Sequence, residues 1–196
     1  MINTYRIANF ISNIFSPYIV ASVLIICISI YSTNLLVYGI FLSFLTLLFL
    51  FGPVLIYSVI QIRRGVLSDI HVKNQKQRNV IFLIGGISLL MTISLLYYLD
   101  SPQVLFATLY SALLANGINY FVNKKTKISF HTGAMAGVSA ILLILMGIIP
   151  ALIIGLLTVI VGWSRVKIHA HSVTQVVLGG LNGFVVTVVV FQFFYI

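Results

Sequence analysis

The chain has 196 residues, 61% of them hydrophobic and 7% charged, with a mean hydropathy of +1.17. Soluble globular domains carry charge on about a quarter of their residues, so that class is excluded and a polytopic helical membrane protein is indicated. The net charge of +9 points to anionic lipid headgroups or an anionic substrate. Nucleic acid is not expected as a partner, because the cations are interleaved with apolar runs rather than gathered on one soluble module.

Met1–Phe15 holds only Arg6 as a charge, alternates apolar and polar residues, and lacks a cleavable signal pattern. It is expected to be a short interfacial helix. A span needs about 20 apolar residues. The first runs from about Ser16 to Ser32 and contains the single Cys27, which has no disulfide partner. The second runs from about Leu35 to Ile62, kinked or ended by Gly52-Pro53. Arg63 to Asn79 is the longest polar stretch. Spans three and four cover about Val80–Leu99 and Val104–Val122, with Asp100-Ser101-Pro102 turning the chain between them. Asn123–His131 is polar again.

Thr132 to Trp163 is apolar and uncharged. One straight helix of that length would reach nearly 50 Å at about 1.5 Å per residue, against a hydrocarbon core of about 30 Å. Gly147 and Pro150 therefore predict a turn and two short spans, the second of which needs Ser164 to Lys167 to lengthen it. The last span starts at His171 or Ser172. The predicted fold is an all-α integral membrane protein with about six to seven transmembrane helices. It forms one transmembrane domain over 1–196, with 1–15 interfacial and 16–196 the bundle.

With seven spans, all eleven Lys and Arg and all four His fall on one face, and only Asp100 is left opposite. The positive-inside rule makes that face cytoplasmic. Two helix mouths on it look alike: Lys127-Ile128-Ser129-Phe130-His131-Thr132 and Lys167-Ile168-His169-Ala170-His171-Ser172. Both read K-I-x-x-H followed by a hydroxyl. A His then stands at each of two helix N-termini, whose free N–H groups and positive dipole ends attract phosphate. Arg165, Arg78 and Lys127 can add charge-assisted hydrogen bonds. One imidazole can attack phosphorus while the other protonates the leaving oxygen. Gln175, one turn beyond His171, can accept the far N–H of the attacking ring.

Ser164-Arg165-x5-His171-x3-Gln175 resembles the third motif, S-R-x5-H-x3-D, of the type 2 phosphatidic acid phosphatases. This is the lipid phosphatase superfamily that shares its site with the vanadium haloperoxidases. Ser129-Phe130-His131 is similar to the second motif, P-S-G-H, with Ile128 for Pro and Phe130 for Gly. His71-x6-Arg78-Asn79 has the spacing of the first, K-x6-R-P, with His for Lys and Asn for Pro. The resemblance implies a lipid phosphatase acting on an isoprenoid or glycerolipid phosphate or diphosphate through a phosphohistidine. It casts His171 as nucleophile and His131 as general acid. Arg165, Ser129 and Arg78 would hold the phosphate, and the Lys role falls to His71, Lys73 or Lys127.

Gln175 stands where a carboxylate is expected. Asp69, the sole acid on this face, could compensate; otherwise the implied protein is a weak or inactive binder or transporter of lipid phosphate. No cofactor and no metal are expected, because His169-x-His171 lacks a third ligand and cations surround it. The remaining polar residues have plainer readings. His169 reads as an interfacial or capping residue, and Arg63, Arg64, Lys124 and Lys125 as topology anchors. Gly133, Gly137, Gly179, Gly180 and Gly183 read as packing positions, and Asn116 and Asn119 as bonds between helices.

Overall fold

The computed structural model describes residues 3–67 and 75–195. Eight helices occur there: α1 (Thr4–Ile14), α2 (Pro17–Tyr31), α3 (Leu36–Arg63), α4 (Gln75–Tyr98), α5 (Gln103–Asn123), α6 (Phe130–Met146), α7 (Ile148–Lys167) and α8 (Val173–Tyr195). No strand is present among the described residues. Five helices (α3, α4, α5, α7 and α8) are long and apolar enough to cross a membrane. A sixth crossing results if α1 and α2, bent by 40° at their junction, form one span.

Local chemistry sets the boundaries. The Asn3 side chain accepts from Tyr5 N–H at 3.0 Å and starts α1. After α2, the Ser32 and Thr33 hydroxyls donate to the Ile28 and Ser29 carbonyls at 2.6 and 2.8 Å. That leaves α2 at 15 residues, shorter than a full span. The break expected between Thr132 and Trp163 falls at Gly147, whose φ of 91° is open to glycine and strained for other residues. Pro150 follows in the first turn of α7, where its missing N–H costs nothing. α7 continues through Arg165 to Lys167, and α6 ends at 17 residues. α3 runs on through Pro53, so Gly52-Pro53 does not end it.

The chain divides into two compact units, Met1–Leu24 with Lys127–Ile196, and Ile25–Thr126. In the second, α4 packs against both α3 and α5. Asn123 donates its amide to Gln75 O and to Asn79 Oδ1, each at 2.9 Å. Gln75 Nε2 donates back to Asn123 O at 2.6 Å. These bonds hold α4 helical from Gln75, five residues before the start expected from hydropathy alone. Asn116 Nδ2 donates to Phe82 O at 2.9 Å, the inter-helix bond expected of it. At the other end of this unit the Tyr38 hydroxyl donates to Leu99 O.

In the first unit α6 packs on α7 and α8, and α1 packs on α7. α6 and α8 run parallel and meet at glycines. A Cβ on Gly179 would stand 2.3 Å from Ser129 O, and one on Gly183 would stand 2.0 Å from Gly133 O. Ser139 Oγ donates to Ala151 O at 2.8 Å and ties α6 to α7.

Candidate functional site

The linker from α7 to α8 is a helix cap of standard pattern. His169 N–H donates to Val166 O and Ala170 N–H to Arg165 O, each at 3.0 Å. That pair is the Schellman arrangement, which needs a left-handed residue between them. His169 takes that place with φ 56°, so its capping reading is the one realised. His171 N–H also reaches Arg165 O, at 3.3 Å. The five residues separating Arg165 from His171 are thus the length of this cap.

The start of α8 is a capping box. Gln175 N–H donates to Ser172 Oγ at 3.3 Å, and Ser172 N–H donates to Gln175 Oε1 at 3.2 Å. His171 Nδ1 lies 3.1 Å from the same Oε1, the contact expected from the i, i+4 spacing. Because a backbone N–H points at it, that atom must be the amide oxygen and not the amide nitrogen. It can therefore only accept from His171, which puts the ring proton on Nδ1 and the lone pair of neutral His171 on Nε2.

The start of α6 is bound to the same turn. Ser129 N–H donates to Gln175 O at 3.2 Å, and the Thr132 hydroxyl donates to Val176 O at 2.9 Å. Ser129 also caps its own helix, accepting from Thr132 N–H at 3.5 Å. Ser129 and His131 are buried and Lys127 is half-buried. Arg165, in the last turn of α7, is half-buried as well, and its Nη1 donates to Ser12 Oγ of α1 at 2.5 Å. Its Nε is enclosed and finds no hydrogen-bond partner among the described residues.

Ser129, His131, Arg165, His171 and Gln175, with Lys127, therefore share one end of the first unit. That end has two helix N-termini and several cations, an electropositive setting for an anion. Arg78 belongs to the second unit, where it is buried in the first turn of α4 with its guanidinium 5.7 Å from the centre of the Phe82 ring. That turn was expected to be loop; the Gln75–Asn123 bonds make it helix. His71, with Lys73 and Asp69, lies outside the described residues.

Ser12 was not singled out from the sequence, and Thr132 and Ser172 entered only as the hydroxyls after the two matched K-I-x-x-H mouths, without their hydrogen-bonding roles. Ser172 was legible as S-x-x-Q before an apolar run. The inter-helix bonds of Thr132 and Ser12 have no local signal, since each joins a residue distant in sequence. Comparisons of the chain with family models, with curated proteins and with solved structures found no match.

Proposed function

We propose that the chain is a multi-pass membrane protein of six to seven spans, with α2 and the short α6 completing the set. Its basic end faces the cytoplasm and handles the phosphate of a lipid. We infer further that it is a lipid phosphatase for isoprenoid or glycerolipid phosphates or diphosphates, related to the superfamily its motifs resemble. The observation that carries this reading is the Ser172–Gln175–His171 relay. A backbone N–H fixes the amide oxygen, the oxygen fixes the imidazole proton, and Nε2 is left as the nucleophilic atom.

In this scheme the Nε2 lone pair attacks phosphorus and the P–O bond to the lipid breaks. His131 supplies the proton to the departing oxygen. Water then displaces the phosphoryl group from His171, with its proton returning to His131. Arg165, Lys127, Ser129 and the two helix N-termini stabilise the phosphoryl oxygens.

A second reading has its own observation. Gln175 is fully accounted for as a helix cap, and an amide stabilises a developing imidazolium less than a carboxylate does. A protein that binds or carries lipid phosphate without cleaving it fits that reading.

Phosphate release from isoprenoid and glycerolipid phosphates in detergent separates the two. The phosphatase reading expects release by the wild type and none by His171→Ala. Release that His171→Ala leaves intact removes His171 as nucleophile. No release from any substrate, with orthophosphate binding lost in Arg165→Ala, selects the binding reading.

A further inference from the structure

We propose that Ser12 is a positioning residue for Arg165, setting which edge of its guanidinium meets an anion. The proposal rests on the phosphate reading of this end of the bundle. Among the described residues the Arg165 guanidinium makes one hydrogen bond, from Nη1 to Ser12 Oγ at 2.5 Å. Arginine offers five N–H donors in a rigid planar fork. Nη1 belongs to one end of that fork, and fixing it stops rotation of the plane. The edge formed by Nε and Nη2 then keeps a set direction, and Nε on that edge is enclosed without a protein acceptor. Two parallel donors on one edge match two oxygens of a phosphate.

Ser12 is suited to the task in two respects. First, its place is fixed: it is buried at 1% exposure, one turn after the equally buried Ala8, on the face of α1 that packs against α7. The opposite face of α1 exposes Phe10 and Ile14. Second, a hydroxyl is neutral. An Asp or Glu there would hold the guanidinium equally well but would cancel the charge an anion needs. A serine anchors the fork and leaves its full positive charge available.

The test uses the whole chain in detergent micelles, labelled with nitrogen-15 arginine, and follows the Nε–H resonance of Arg165 as orthophosphate is added. Arg165→Lys, which removes that resonance, assigns it. The wild type is expected to show a saturable shift. Ser12→Ala should weaken the apparent affinity about tenfold, the worth of one charge-assisted hydrogen bond. Ser12→Cys, whose thiol is a poor acceptor of similar size, should behave like Ser12→Ala and guards against a folding artefact. Ser12→Thr keeps the hydroxyl and should restore binding. Equal affinity in wild type, Ser12→Ala and Ser12→Cys overturns the role of Ser12 alone. A wild type whose resonance ignores orthophosphate overturns the phosphate reading, and this proposal with it.

Discussion

Gln175 serves two neighbours through one oxygen, accepting from Ser172 N–H and from His171 Nδ1. The third position of a helix accepts Glu as readily as Gln in a capping box. Gln175→Glu therefore keeps the box and the hold on His171 while adding a full negative charge beside the ring. In the serine protease triad, loss of the equivalent carboxylate costs about 10⁴ in rate, although partly through a wrong tautomer. The tautomer is already right here, so the gain is smaller. Phosphate release by Gln175→Glu should exceed wild type by about tenfold or more, and a rate at or below wild type refutes the charge argument. The His171–Gln175 pair was legible because helical periodicity alone brings i and i+4 together. The Arg165–Ser12 pair was not, because nothing in the sequence near either residue names a partner 153 positions away.

At its tightest points the α6–α8 contact is backbone against backbone, with the Thr132 hydroxyl crossing it to Val176 O. Gly179 and Gly183 bring α8 against backbone oxygens of Ser129 and Gly133, the close approach that small residues permit between membrane helices. Gly183→Ala places a methyl 2.0 Å from Gly133 O, and overpacking of this kind costs about 1–3 kcal/mol. Gly180, on the same helix, has nothing within 4 Å of a Cβ. Unfolding titrations in mixed micelles should show Gly183→Ala clearly destabilised and Gly180→Ala unchanged or slightly more stable, alanine being the better helix former. Equal stability of the two variants contradicts the close packing.

Gly133, Gly137, Gly179 and Gly183 declared themselves as packing positions in the sequence, whereas Gly180, expected with them, has nothing within 4 Å of a Cβ and is not one. Breaks were readable where glycine or proline punctuates the chain, at Gly147 and near Pro102. The start of α4 was misread, because Gln75 and Asn79 look like loop residues until their bonds to Asn123, 48 and 44 positions away, are known.

At the scale of the molecule, the described cations of each unit, Arg6 aside, stand at one end of its helices. In the second unit Arg63 and Arg64 close α3, Arg78 opens α4, and Lys124 and Lys125 follow α5. In the first, Lys127 precedes α6 while Arg165 and Lys167 close α7. The proposed topology makes both ends cytoplasmic. In a Cys27→Ser background, Lys125→Cys and Ala170→Cys should react with an impermeant maleimide only after cells are opened, and Asn34→Cys in intact cells. Labelling of Asn34→Cys and Lys125→Cys from the same side would remove the spanning role of α3 to α5.

The bond between Ser12 and Arg165 also has a place in time. At about 5–20 residues per second of synthesis, the 153 positions between them correspond to about 8–30 s on the ribosome. Through that interval α1 exists while the helix it packs on has not been made, and its buried face must rest against lipid headgroups or water. The hold on the Arg165 guanidinium is therefore among the last features of the protein to form, completed when a late helix arrives beside an early one.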